Sequence, residues 1–301
     1  GRGYPLFNFY GAGVYYLSEA FHLLGLNLSD ASVATLTLLA LLASYGIFLL
    51  TRDLFGKEAT WASLVAAIAY VYAPYFLTVN IYQRGAIAEA TAQALIPWVL
   101  WSVRRLFTTQ AQAFWATLLA LLLATLVFSH TLMLLIFPPL LAGYVIVQWL
   151  QNGRQGRALG WAIVGLLFAI AISAFFWLPL ILERDYLSKF AYGIVRGAFL
   201  PRSTWTWETF VAEEWLYTYI RPPRLGLVQF LLGTIGALVT IARRRTWENW
   251  YLLLSAVMAG LLVGSWARPF WENSEILLSI QSPWRLLTLI SLVLASFTGA
   301  I

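Results

Sequence analysis

Cysteine is absent from the 301 residues, and there are only two histidines, His22 and His130. Disulfides, thiol catalysis and thiolate metal sites are thereby excluded, and a histidine-rich metal centre with them. Charge is also scarce. Charged residues make up 11% of the chain, against about a quarter in average globular proteins, which excludes an ordinary soluble domain. There is no HExxH, no P-loop and no Ser-His-Asp order. What is abundant is apolar: 61% hydrophobic residues, with 15 Trp, 15 Tyr and 19 Phe, and a mean hydropathy of +0.76. Such a composition excludes disorder and a secreted disulfide scaffold, and it suits a protein with two membrane interfaces to anchor. The net charge of +6 does not indicate nucleic acid, because the cations sit mostly in short loops between apolar runs. The chain opens at Gly1 without Met or a signal peptide and stops at Ile301 inside an apolar run, so it reads as a fragment at both ends.

A crossing helix needs about 20 predominantly apolar residues. Segments 31–51, 59–78, 86–103, 113–129, 131–150, 158–182, 225–242 and 247–266 qualify, and a last span starts near Trp284. The expected fold is all-α and polytopic: one transmembrane domain over 1–301 with about nine transmembrane helices. Arg52 and Lys57, Arg104 and Arg105, Arg154 and Arg157, and Arg243, Arg244 and Arg245 fall in short loops on one face. The positive-inside rule makes that face cytoplasmic, in a bacterial cytoplasmic (inner) membrane. Residues 79–88, 183–224 and 267–283 are then extracytoplasmic. Residues 11–26 carry Glu19 and His22, and crossing would put Arg52 on the wrong face. An outer juxtamembrane helix, with 1–30 as outer loop and helix, avoids both problems. Ala256, Gly260 and Gly264 form a small-xxx-small series suited to close helix packing.

Polar residues at membrane depth or at the outer rim are the candidates for function, each with a structural alternative. Arg84 and Glu89 flank a helix start. Glu89 suits the positive end of a helix dipole, and Arg84 can snorkel to headgroups. Functionally, Glu89 accepts a proton or binds a divalent cation such as Mg or Mn, while Arg84 holds a phosphate. His130, in Phe128-Ser129-His130-Thr131, is either an exposed turn residue or a proton-transfer group facing an outer cavity. Arg285, in Gln281-Ser282-Pro283-Trp284-Arg285, is an interface anchor or a phosphate ligand. Tyr4, Asn8 and Tyr10 lie in an aromatic, Gly-rich stretch that either stacks on a sugar or rests in the interface. Gly1-Arg2-Gly3 and Gly11-Ala12-Gly13 lack the strand–helix context of a dinucleotide loop. The aromatic and acidic 183–224 loop, with Trp205, Trp207, Glu208, Glu213 and Glu214, reads as an interfacial helix or a lid.

The order of these elements is informative. Tyr4-Pro5-Leu6 and Val14-Tyr15-Tyr16-Leu17 precede a span ending in Arg52-Asp53-Leu54-Phe55-Gly56. Tyr72-Ala73-Pro74-Tyr75 and Arg84-Gly85-Ala86-Ile87-Ala88-Glu89 follow, then the Ser129-His130 turn and Pro283-Trp284-Arg285. This order resembles the bacterial membrane proteins labelled 6-pyruvoyl-tetrahydropterin synthase-related, a label for a membrane domain rather than for pterin chemistry. More distantly it is similar to the GT-C glycosyltransferases. That resemblance implies sugar transfer from a polyprenyl-phosphate donor at the outer leaflet, with Glu89 supporting a base or metal and Arg84 and Arg285 on phosphate. The principal base is then expected upstream of Gly1, and Glu stands at 89 where that group commonly has Asp. The competing readings are a transporter or flippase of a lipid-linked substrate and a non-catalytic membrane scaffold.

Overall fold

The computed structural model describes residues 7, 10–183, 211–212 and 225–301. Helix α1 (Gly13–Leu23) has 11 residues, about 16 Å at 1.5 Å per residue, too short to cross a bilayer core. Helix α2 (Leu28–Phe55) begins where the Asn27 side chain accepts the Asp30 amide at 2.9 Å, an N-cap, and it runs 28 residues. Helix α3 (Thr60–Val71) stops short of Pro74, whose ring bears no N–H and disfavours helix in the residue before it. The chain resumes as a nine-residue π-helical segment, Tyr75–Gln83. In it the Val79 amide donates to the Pro74 carbonyl at 2.8 Å and the Arg84 amide to the Val79 carbonyl at 2.9 Å. The apolar run 59–78 thus changes from α- to π-helical at Pro74 while remaining within one membrane-length stretch, Lys57–Gln83. Segments of this type are rare and often mark functional sites.

Helices α4 (Ile87–Thr108), α5 (Gln112–Ser129) and α6 (Met133–Gln151) follow. The next apolar run, expected as one span over 158–182, is broken into α7 (Gly156–Ile172) and α8 (Ala174–Leu182), bent by 62°. At the break the Ser173 hydroxyl donates to the Ala169 carbonyl at 2.7 Å, a back-bond that bends helices, and Pro179 follows. Two-residue strands β1 (Val211–Ala212) and β2 (Leu225–Gly226) pair in parallel. Helices α9 (Leu227–Arg243), α10 (Trp247–Val263), α11 (Arg268–Glu272), α12 (Glu275–Ser279) and α13 (Leu287–Thr298) complete the chain, with a 3-10 turn Pro283–Leu286 opening α13.

Two helices form the centre. Every residue of α13 is buried, and α4 is buried along most of its length. Alanines at 88, 90, 92 and 94 let neighbouring helices approach the start of α4 closely. On α10 the buried stripe is Leu252, Ala256, Ala259 and Val263, which takes in one member of the expected small-residue series. A close helix approach lies elsewhere, where a Cβ on Gly236 of α9 would meet the Phe297 carbonyl at 1.9 Å. Among the described residues four helical stretches are long and apolar enough to cross a membrane (α2, the continuous run Lys57–Gln83, α5 and α6), and the α7–α8 pair makes a fifth if counted as one span. Helices α9, α10 and the Pro283–Thr298 element are apolar but shorter. The described residues form an all-α bundle apart from the two short strands.

The arginine-rich loops meet at one of those ends. Arg104 of α4 pairs there with the buried Glu248 of α10 and donates to the Asp53 carbonyl of α2 at 2.8 Å. Tyr144 of α6 donates to the same Glu248 carboxylate, and the Glu248 amide donates to Gln151 at 3.1 Å. Asp53 accepts from Trp101 at 2.9 Å and lies 3.5 Å from Arg105. Four helices are pinned together by this polar clamp.

Candidate functional site

The opposite end carries the site, and Glu89 is its centre. Gly85, with φ of +58°, reverses the chain between the π-helical segment and α4. This left-handed conformation suits glycine. The Ala86 amide then donates to the Asn80 carbonyl at 2.7 Å, closing the turn. Glu89 stands in the first turn of α4 and is 1% exposed. Its side chain therefore needs partners. Tyr75 donates its hydroxyl to Oε1, while Arg84 Nη1 lies 3.3 Å from Oε2. Arg285 Nε is 3.6 Å and His130 Nε2 4.0 Å from the same oxygen. Three of the residues expected from the sequence, with Arg285 as a fourth, thus meet at one point. They come from the turn that ends the π-helical segment, α4, the turn after α5 and the turn before α13.

Each cation is held by groups other than Glu89. Arg84 donates to the Asn80 side chain at 2.6 Å, and its guanidinium lies 4.4 Å from the centre of the Trp284 ring. Asn80 donates to Gln93 at 3.1 Å, Gln93 donates to Thr288 of α13 at 2.9 Å, and Tyr70 donates to the Gln93 carbonyl at 2.8 Å. Arg285 donates to the Ile280 carbonyl at 2.6 Å and to the Gln281 side chain at 3.0 Å. Gln281 has φ of +71°, a strained conformation for a residue with a Cβ. His130 is fixed from the other side: a Cβ on Gly11 would fall 1.9 Å from the Ser129 carbonyl, so only glycine lets the N-terminal segment lie against this turn.

Burial, reinforced by Arg285 and Arg84 and opposed by Glu89, pushes the His130 imidazole down to about 4. The ring is therefore neutral near pH 7, and its Nδ1 is buried without a hydrogen-bond partner, as is Arg285 Nε. Tyr10 stands at the edge, partly exposed. Burial and then its neighbour Tyr15 push its hydroxyl up to about 12, with Arg84 opposing. Tyr4 and Asn8 lie outside the described residues, as does nearly all of the 183–224 loop.

Among the described groups the centre holds two guanidiniums, one carboxylate and a neutral imidazole, an excess of one positive charge. A divalent cation does not fit this set. Both Glu89 oxygens are already engaged, by cations on one and a hydroxyl on the other. No group of three or more His, Asp or Glu stands close enough among the described residues to complete a shell. A phosphate or other oxyanion matches the guanidiniums. The sequence reading missed Asn80, Gln93 and Thr288 as the support of Arg84. The first two carried a signal in retrospect: amide side chains inside apolar runs are costly in lipid unless paired. Tyr75 was noticed only as part of a Pro-Tyr element, and nothing in the local sequence shows that its hydroxyl reaches Glu89.

No curated protein and no solved structure matches the chain. The model of the 6-pyruvoyl-tetrahydropterin synthase related domain, a membrane-protein family, matches residues 7–297. With that match running almost from end to end of the described bundle, the chain belongs to the 6-pyruvoyl-tetrahydropterin synthase related family of membrane proteins.

Proposed function

We propose that the protein is a GT-C-like glycosyltransferase, moving a sugar from a polyprenyl-phosphate donor at the outer leaflet of a bacterial cytoplasmic membrane. The observation that carries this reading is the convergence of Arg84 and Arg285 on Glu89, at the end away from the arginine-rich loops. In this reading nine elements cross the bilayer. Helix α4 is one of them despite Glu89, Arg104 and Arg105, because these charges lie near its ends and are paired. The positive-inside rule then places the Glu89 cluster on the extracytoplasmic side, and α1 lies along that interface.

The chemistry follows from the charges. An acceptor hydroxyl attacks the anomeric carbon, its proton passes to a base, and the bond from that carbon to the phosphate oxygen breaks. Negative charge grows on the departing polyprenyl phosphate, where Arg84 and Arg285 offset it. Within this chain His130, neutral and with an unbonded Nδ1, is in position to take a proton transiently, and the Glu89 carboxylate 4.0 Å from Nε2 offsets the charge that then forms. Tyr10, exposed at the edge of this cluster, is the ring this reading assigns to stacking on the sugar.

The test is transfer in proteoliposomes charged with a panel of polyprenyl-phosphosugars and labelled acceptor. Arg84→Ala and Arg285→Ala should each lower transfer by about 10²-fold or more while the protein stays folded. Undiminished transfer in both variants would refute the phosphate role. A second reading, transport of a lipid-linked substrate, is favoured by a polar thread that continues inward from Gln93 and Thr288. Gln229 donates there to the Ser291 carbonyl at 3.2 Å, while Gln229 Oε1 and Ser291 Oγ are buried without partners. Movement of label across the liposome wall without sugar transfer would select it.

A further inference from the structure

We infer that Glu89 is an internal competitor of the ligand: its carboxylate and the phosphate of a lipid-linked phosphodiester contend for the same two guanidiniums. The inference rests on the phosphate reading above and concerns what Glu89 does to it. Charge-assisted hydrogen bonds between a guanidinium and a carboxylate close to about 2.7–2.9 Å. Here Arg84 donates to Oε2 at 3.3 Å, a long hydrogen bond, and Arg285 stands 3.6 Å from the same oxygen, beyond hydrogen-bond reach. Their positions are set instead by Asn80 and Trp284 for Arg84, and by the Ile280 carbonyl and Gln281 for Arg285. Both are aimed before any ligand arrives, and both keep their anchors when Glu89 is altered.

Donor capacity is also left over. Arg285 Nε is buried and makes no hydrogen bond, because Glu89 is too far to accept one. A buried donor without a partner is costly, and an oxyanion between the two guanidiniums supplies the missing acceptor. Glu89 then has two effects. It cancels one of the two positive charges, so the described groups balance a phosphodiester bearing one negative charge better than a diphosphate bearing two or three. It also repels whichever anion enters. A carboxylate that serves only to fix the arginines would do the opposite, since its removal would loosen them and weaken binding.

Glu89→Gln separates these alternatives. The amide keeps the shape and can still accept from Tyr75, but it no longer repels the phosphate. The probe is methyl farnesyl phosphate, a phosphodiester of single charge, titrated calorimetrically into the protein in nanodiscs of zwitterionic lipid. Wild-type protein should bind it, Arg285→Ala should weaken binding, and Glu89→Gln should tighten it on the order of tenfold or more. In transfer assays the same variant should lower KM for the donor while kcat falls, because support of His130 is lost. If Glu89→Gln does not fold, Glu89→Asp is used in its place. Its carboxylate is withdrawn by one methylene, and it should tighten binding by a smaller factor. Binding that depends on Arg285 but is unchanged or weakened in the Glu89 variant overturns the competition while sparing the phosphate site. A probe that binds neither wild type nor variant overturns both.

Discussion

Replacing Glu248 by Ala should be among the most damaging single changes at the arginine-rich end. The wild-type carboxylate is nearly inaccessible, and Arg104 beside it is mostly enclosed. Truncation leaves that guanidinium with the Asp53 carbonyl as its remaining hydrogen-bond partner there, and leaves the Tyr144 hydroxyl with a lost acceptor in a fully buried position. Breaking a buried ion pair from one side costs about 3–5 kcal/mol, and an orphaned buried hydroxyl about 1–3 kcal/mol. Relaxation and water entry overlap the two, so about 4 kcal/mol is expected for Glu248→Ala. Glu248→Gln, which keeps an acceptor for Tyr144, should lose about half of that. The assay is reversible unfolding in mixed micelles of increasing SDS fraction, followed by Trp fluorescence. Arg104→Ala and the double variant complete a cycle whose coupling should reach about 1–3 kcal/mol, as for residues in one network. A loss below about 1 kcal/mol for Glu248→Ala, or strict additivity in the cycle, would show that the clamp holds nothing together.

Two further perturbations probe the other end. Gly11→Ala puts a Cβ into the Ser129 carbonyl, and overpacking of this kind costs about 1–3 kcal/mol. It should displace the His130 turn, lowering transfer more than it lowers the unfolding midpoint, whereas unchanged transfer would separate the N-terminal segment from the site. His130 is neutral in the fold and titrates there near 4, against an ordinary value of 6.5. Below 6.5 the unfolded chain takes up the proton more readily, so stability is complete above that pH and is lost as pH falls towards 4. The loss reaches about 3 kcal/mol by linkage. Thermal melts from pH 7 to 4 should show this slope, and His130→Gln should flatten it. A slope that persists in the variant belongs to another group.

The long apolar runs made the bundle legible in the sequence, because no other element satisfies so many backbone groups without water. Two of the runs change course inside: 59–78 passes from α- to π-helical at Pro74 yet stays within one membrane-length apolar stretch, Lys57–Gln83, and 158–182 bends by 62° at the break beside Ser173. Neither effect has a periodicity to reveal it. The candidate site was legible as residue types at the rim, and Arg84, Glu89, His130 and Arg285 do meet. Their convergence was not legible, since it brings together segments nearly 200 residues apart, as the Gln93–Thr288 hydrogen bond does. The hydrogen-bonded chain from Asn80 through Gln93 to Thr288, and the Glu248 clamp, join elements distant in sequence. Local patterns carry no trace of such pairings. Helix α4 links the two ends: Glu89 and Arg104 lie about 22 Å apart along it at 1.5 Å per residue.

The most direct test of the central claim is native mass spectrometry of the protein released from nanodiscs in which a polyprenyl-phosphosugar is a minor component among phospholipids. A phosphate site built from Arg84 and Arg285 predicts selective retention of the polyprenyl species by wild type and its loss in Arg84→Ala and Arg285→Ala. Retention of phospholipid in proportion to its abundance, equal in wild type and in both variants, would contradict a lipid-phosphate site at Glu89.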